Sequence, residues 1–97
     1  MTLEDADVHR TIIIRNKRGL HARASAKFVT IAGNFDALVK VTKDGSTVCG
    51  TSIMGLMMLA AAIGDKIFLQ SSGKEKHELM DALESLIHDK FGEECEE

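Results

Sequence analysis

The sequence predicts an α+β domain in which the helices cover one face of an antiparallel sheet. Short β-branched segments alternate with amphipathic segments in the order β-α-β-β-α-β-α. An Asp-Gly pair at residues 44–45 joins two of these strands as a tight hairpin. The strands are too few and too short to be covered on both faces. The second face of the sheet is therefore expected to remain open to water.

The first half of the chain contains one strand, one loop and one helix. Residues 11–15 (TIIIR) are β-branched and predict a strand, and residues 16–19 (NKRG) predict the loop that follows. Residues 22–33 predict a helix that ends at Gly33-Asn34. Its apolar face is expected to consist of Ala22, Ala26, Phe28, Val29 and Ala32.

The second half begins with the hairpin, which is formed by strands at residues 35–42 and 46–49. Thr51-Ser52 can cap a short apolar helix over residues 53–62. A strand at residues 66–72 and a final helix at residues 75–91 complete the order. The apolar stripe of this last helix is formed by Leu79, Ala82, Leu83, Leu86 and Ile87, with Met80 and Phe91 at its margins.

Composition indicates one folded domain over residues 1–97, with 44% apolar and 28% charged residues. The acidic ends, residues 1–7 and 93–97, are predicted to be flexible tails. No signal sequence or membrane-spanning segment is recognisable, so we expect a cytoplasmic protein that is not inserted into a membrane. The two cysteines and the four histidines lack partners at ligand spacing, so we expect neither a metal site nor a cofactor.

Charge is distributed unevenly although the net charge is only −3. No acidic residue occurs between Asp7 and Asp36, and this gap contains Arg10, Arg15, Lys17, Arg18, Arg23 and Lys27. Such a positive region attracts an acidic partner or a phosphoryl donor. Two alternatives are a basic face that is merely solvated and a nucleic-acid-binding module. The scarcity of aromatic residues and the acidic tails argue against nucleic acid.

His21 lies where the predicted loop meets the first helix, and this position has chemical consequences. The first N–H groups of a helix lack internal partners and carry the positive end of the helix dipole, so they favour an anion. The imidazolium form is disfavoured there, and the ring is expected to keep a free nitrogen lone pair. Arg23 could bind the oxygens of a phosphoryl group taken up by that nitrogen. An exposed histidine without a role is the alternative.

Two blocks of the sequence resemble the histidine-containing phosphocarrier protein (HPr) family of the bacterial phosphotransferase system. The first block is GLHAR at residues 19–23, followed by an Ala/Ser-rich turn and KFV at residues 27–29. The second is TSIMGL at residues 51–56, followed by MML and by Gly64-Asp65. The resemblance covers about residues 11–93. It implies an open-faced β-sandwich with a four-stranded antiparallel sheet and three helices on one side.

The resemblance also implies a function and its partners. His21 matches the family's active histidine, which Enzyme I phosphorylates at the expense of phosphoenolpyruvate and which passes the group to a IIA protein or domain. Arg23 matches the arginine that attends the phosphoryl group. The protein would then be a stoichiometric carrier and a monomer, not a turnover enzyme. Its output would be sugar uptake or a regulatory, nitrogen-type branch, and the complete Ser52 site leans toward the latter.

Ser52 matches the serine that HPr kinase/phosphorylase phosphorylates in many bacteria. A phosphate there would disfavour an acidic partner if this helix end lies near His21. A plain N-cap role is the alternative for Ser52, and a regulatory protein that uses Ser52 alone is a further alternative function. Arg18, Lys27 and Met54 are expected to dock partners. Among Ile53, Met54, Met57 and Met58, some side chains should belong to the core; Met54 is expected to be exposed, and the other three are undecided.

The chain departs from the family pattern at Ala24, where the family usually has proline. Proline is acceptable in a first helical turn because its missing N–H has no helical partner there. Alanine restores that donor and has a higher helix propensity. We therefore expect Ala24 to leave the transfer chemistry intact.

Overall fold

Four strands and three helices form in the predicted order. The strands are β1 (Val8–Ile13), β2 (Leu38–Lys43), β3 (Ser46–Cys49) and β4 (Lys66–Ser72), and the helices are α1 (Ala22–Ala32), α2 (Ile53–Met58) and α3 (Lys76–His88). One 3-10 turn, Lys90–Gly92, follows α3. The computed structural model describes residues 7–93, so the predicted tails at residues 1–6 and 94–97 lie outside the described residues.

The sheet has the order β1-β4-β2-β3, and every neighbouring pair is antiparallel. Ile12 of β1 pairs with Ile67 of β4, and Leu69 of β4 pairs with Val41 of β2. All four of these side chains are buried on the face that the helices cover. The predicted α+β fold, an open-faced sandwich with three helices on one side of a four-stranded sheet, is therefore confirmed.

The alternation along β4 shows why only one face is covered. Ile67, Leu69 and Ser71 are buried, whereas Lys66 before them and Phe68 between the first two are exposed. Successive side chains of a strand point to opposite faces, so this pattern gives the sheet one apolar and one mixed face. Burying a leucine or isoleucine side chain stabilises the fold by about 2 kcal/mol. The helices supply much of the remaining core through Ala24, Phe28, Ala32, Leu56, Leu79, Met80, Leu83 and Ile87.

The inner face of α1 differs from the predicted one. Phe28 and Ala32 are buried as expected, but Ala24 and Ser25 complete the buried stripe and Ala22 is exposed. Ala24, Phe28 and Ala32 recur at i, i+4 and i+8, which is the spacing of one helix face. Since α1 packs against both α2 and α3, its small residues let three helices approach one another closely.

The predicted end of α2 and the predicted start of β2 were wrong for identifiable reasons. Helix α2 ends at Met58 rather than at residue 62, because Ala60 has a left-handed φ of 54° and the helix cannot continue through it. Strand β2 starts at Leu38 rather than at residue 35, because the backbone N–H and C=O of Asp36 bond to Glu75 instead of to a strand. Strand β1 also begins and ends earlier than predicted.

None of the helices within residues 7–93 is long and apolar enough to cross a membrane.

Candidate functional site

His21 caps the amino end of α1, as the loop-to-helix pattern predicts. Its backbone is extended, with φ −76° and ψ −177°, and its carbonyl accepts the first helical hydrogen bond from the Ser25 N–H. Its Nδ1 accepts a hydrogen bond of 3.2 Å from the Arg23 N–H. A ring nitrogen that accepts a hydrogen bond carries a lone pair and no proton. Nδ1 is therefore the nitrogen with the free electron pair, and Nε2 carries the proton of the neutral ring.

Glu93 contacts the other ring nitrogen. Its Oε2 lies against Nε2 of His21, and its Oε1 accepts a hydrogen bond of 3.0 Å from Nδ2 of Asn16. Only 18% of the His21 side chain and 9% of the Glu93 side chain are exposed. Burial alone would raise the pKa of Glu93. The hydrogen bonds that Glu93 accepts from Asn16 and His21, together with the charge of Arg18, outweigh burial and lower that pKa below its ordinary value.

Asn16 ties this carboxylate to the loop before α1. The residue is fully buried, and its Nδ2 donates both to Glu93 and, at 2.9 Å, to the carbonyl of Gly19. Its Oδ1 has no hydrogen-bond partner within residues 7–93. Both of the N–H donors of Asn16 are therefore used to hold the loop and the carboxylate together.

A left-handed turn at the carboxyl end of α3 delivers Glu93 to this position. The helix was predicted to run through residue 91, but it ends at His88, and Lys90, Phe91 and Gly92 have φ of 54°, 55° and 71°. Phe91 is fully buried, and its carbonyl accepts a hydrogen bond of 2.6 Å from Nζ of Lys27. The prediction that residue 93 starts a flexible tail is corrected for Glu93 itself, since its carboxylate is held in the site.

Basic side chains surround this carboxylate. A cavity of about 300 Å³ is lined by Lys17, Arg18, Arg23, Lys27, Gly92 and Glu93. The structure thus brings together three of the residues predicted from sequence, Arg18, Arg23 and Lys27, beside the helix that His21 caps. Four positive side chains around one small cavity favour an anion there.

The loop that carries His21 is fastened to the segment after α2. The Leu20 N–H donates to the carbonyl of Ala61 at 3.0 Å, and the Leu20 side chain is buried. Gly19 has φ +67°, and a Cβ on it would lie 2.2 Å from the Ala61 oxygen. Only glycine fits this approach, so residue 19 sets the direction in which His21 leaves the loop.

Ser52 precedes α2, and Met54 lies in its first turn. Ser52 is the N-cap, and its Oγ accepts a hydrogen bond of 2.9 Å from the Gly55 N–H. Met54, predicted to be exposed, has 72% of its surface accessible. The expectation that part of the Ile53, Met54, Met57 and Met58 set belongs to the core was wrong, because all four are exposed. Leu56 and Leu59 fill the core from this segment instead.

The sequence pattern does not identify Asn16 or Glu93 as site residues. Asn16 fits a turn, and Glu93 belongs to an acidic carboxyl end. The available signal was Gly92, because a glycine between a buried aromatic and an acid can turn the chain back on the domain. No group of three or more His, Cys, Asp or Glu side chains that could hold a metal ion occurs within residues 7–93.

Comparisons with known proteins identify the family to which the chain belongs. Residues 8–89 match the family model described as "PTS HPr component phosphorylation site". The phosphocarrier protein HPr of Cupriavidus necator is 51% identical over 86 residues, which cover 89% of this chain and 97% of that protein. The HPr of Neisseria meningitidis serogroup B is 55% identical over 84 residues, which cover 87% and 94%.

Solved structures show the same relationship. The crystal structure of HPr-C-His from Thermoanaerobacter tengcongensis superposes with a TM-score of 0.86 at 43% identity, covering 91% of this chain and 99% of that one. Both the family model and the relatives span nearly the whole described chain. The chain therefore belongs to the HPr family of phosphocarrier proteins of the phosphotransferase system.

Proposed function

We propose that this protein carries a phosphoryl group on Nδ1 of His21 and transfers it between two proteins. One observation supports this most directly. Nδ1 holds the free lone pair of the ring at the amino end of α1, while Nε2 is engaged by Glu93. A neutral imidazole fixed in this tautomer presents a single nucleophilic nitrogen.

In the transfer step, the Nδ1–P bond forms as the P–N bond of the donor histidine breaks, and the donor ring keeps the electron pair. The hydrogen bond from the Arg23 N–H to Nδ1 is released, and this N–H becomes available to a phosphoryl oxygen. The helix dipole and the cationic side chains of Arg23 and Lys27 favour the added negative charge. Transfer to an acceptor reverses these changes, so the protein is a relay and not a turnover enzyme.

The donor is proposed to be Enzyme I charged by phosphoenolpyruvate, and the acceptor a histidine of a IIA protein or domain. Arg18 and Lys27 beside the cavity and Met54 on α2 form the proposed docking surface for both.

Output through sugar uptake or through a regulatory branch depends on the IIA acceptor. A gene for a sugar permease, a IIA protein or an HPr kinase beside this one would separate these outputs. The nucleic-acid-binding alternative has no supporting observation, whereas family membership supports a phosphocarrier.

Labelling tests the proposed function. Incubation with Enzyme I and [³²P]phosphoenolpyruvate should add one acid-labile, base-stable phosphate to the wild-type protein. The His21→Ala variant should take up no label, because it lacks the nucleophilic nitrogen. His77→Ala, which removes an exposed histidine of α3, is the matched control and should be labelled like the wild type. Label retained in His21→Ala would contradict the proposal.

Ser52 is proposed to regulate docking through phosphorylation by an HPr kinase/phosphorylase. Ser52→Asp should keep the N-cap, since aspartate caps as well as serine, and add a negative charge to α2. We expect the Enzyme I concentration for half-maximal labelling to rise about tenfold, for a repulsion of about 1.4 kcal/mol.

The control for this prediction is Ser46→Asp, which makes the same charge change at an exposed position of the β2–β3 hairpin. It should leave the half-maximal Enzyme I concentration unchanged. An equal effect of the two substitutions would show that net charge, rather than the position of Ser52, is responsible.

A further inference from the structure

We propose that Glu93 is a positioning residue for His21, whose carboxylate keeps the Nε2 proton on the ring while Nδ1 gains and loses the phosphoryl group. This inference rests on the proposed function, and it assigns a role to a residue outside the GLHAR block. It makes the carboxyl-terminal turn part of the site.

The carboxylate is fixed through both of its oxygens. Oε2 contacts Nε2 of His21, and Oε1 accepts the hydrogen bond from Asn16. Asn16 also holds the Gly19 carbonyl, so Glu93 is anchored to the same loop that carries His21. Rotation of the carboxylate would break one of these contacts and leave a buried polar group unsatisfied, which is unfavourable.

A second anchor holds the backbone of Glu93. Lys90 and Phe91 have left-handed φ, a conformation that is unfavourable for L residues and that surrounding contacts must offset. Here the enforcing contacts are the fully buried Phe91 ring and the hydrogen bond from Lys27 to the Phe91 carbonyl. The turn is therefore maintained by the core and not by local preference, and it places Glu93 in one position.

This arrangement has a chemical consequence during transfer. When Nδ1 bonds to phosphorus, the ring gains positive charge, and its Nε2 proton becomes easier to lose. Lys17, Arg18, Arg23 and Lys27 line the adjacent cavity and favour that loss, whereas Glu93 is the one carboxylate among the described residues lining it. The carboxylate opposes the loss, because an adjacent negative charge stabilises the protonated ring.

A ring that keeps its Nε2 proton is the better leaving group in the next transfer. It departs from phosphorus as neutral imidazole, without having to take up a proton first. The Glu93 pKa lies below its ordinary value, so the carboxylate is ionised throughout the neutral range. The stabilisation of the Nε2 proton by this carboxylate is therefore present at neutral pH and is lost as the pH falls through the lowered pKa of Glu93.

The experiment uses two phosphoryl donors: Enzyme I with [³²P]phosphoenolpyruvate, and phosphoramidate, a small molecule that needs no docking. The variants are Glu93→Gln, which removes the charge, and Glu93→Asp, which retains it. Asp89→Asn is the matched control, because it makes the same charge change at an exposed carboxylate four residues away. The rate at which the ³²P label is lost is measured from pH 5 to pH 10. ¹⁵N NMR of the unphosphorylated, ¹⁵N-enriched protein reports the His21 tautomer.

We expect the midpoint of the pH profile of label loss to fall by about one pH unit in Glu93→Gln, the size of one nearby opposite charge. Asp89→Asn should match the wild type, and Glu93→Asp should lie between the wild type and Glu93→Gln. The ¹⁵N spectrum should show a proton on Nε2 in the wild type and a mixture of tautomers in Glu93→Gln.

Identical profiles for the wild type and Glu93→Gln would overturn the inference. So would an equal shift in Asp89→Asn, or a Glu93→Asp profile that coincides with that of Glu93→Gln. If the wild type takes no label from either donor, the proposed function fails instead, and the NMR comparison still decides whether Glu93 fixes the tautomer.

Discussion

Replacing Gly19 with alanine is expected to lower the free energy of unfolding by about 3 kcal/mol. A left-handed φ costs an L residue about 1 kcal/mol, and forcing a methyl group into a filled space costs about 1–3 kcal/mol. Both apply here, because φ is +67° and the new Cβ would lie 2.2 Å from the Ala61 carbonyl oxygen. That oxygen is the acceptor for the Leu20 N–H, so the hydrogen bond that fastens the His21 loop is also expected to break.

Urea denaturation followed by circular dichroism measures this loss, and Gly64→Ala is the matched control. Gly64 has a similar φ of +89°, but no atom lies within 4 Å of the position of its Cβ. Gly64→Ala should therefore lower the free energy of unfolding only by the cost of a left-handed φ, about 1 kcal/mol. Equal losses in the two variants would show that the close approach to Ala61 contributes nothing to stability.

Replacing Met54 with glutamate is expected to raise the Enzyme I concentration for half-maximal labelling about 100-fold. Apolar side chains at the centre of an interface often contribute about 2 kcal/mol or more to binding, and a factor of 100 corresponds to about 2.7 kcal/mol. Met54 is largely exposed, so folding stability should change by less than about 0.5 kcal/mol. The loss should therefore appear in docking alone.

Leu38→Glu is the control for this substitution. Leu38 is also apolar, is 70% exposed and lies at the start of β2 rather than on α2. Steady-state labelling at a series of Enzyme I concentrations should give the wild-type value for this variant. A Met54→Glu protein that is labelled as readily as Leu38→Glu would remove α2 from the proposed docking surface.

Much of the fold could be predicted from sequence because its determinants are local. The period of two along β4, the Asp44-Gly45 turn and the stripe of α3 each depend on residues within a few positions of one another. His21 could be placed for the same reason, since a loop glycine, a cap and a helix follow in immediate succession. Errors in the bounds arose where long-range contacts decide, as at Ala60 and Asp36.

The second half of the site could not be predicted in this way. Glu93 contacts His21 across 72 positions of sequence and Asn16 across 77. An acidic residue in an acidic carboxyl end carries no local sign of burial, and the left-handed turn at Lys90 and Phe91 opposes the intrinsic preferences of both residues. Tertiary contacts of Phe91 override those preferences, and a pattern of local propensities does not contain them.

The position of Glu93 bears on how this protein should be handled in the laboratory. An affinity tag or fluorophore fused to the carboxyl end would begin within a few residues of the basic cavity. One fused before Val8 would join the chain at the end of β1 that is separated from the His21 loop by the length of that strand, about 17 Å. Amino-terminal fusions are therefore preferable for any measurement of phosphoryl transfer, and carboxyl-terminal fusions suit a reporter meant to sense it.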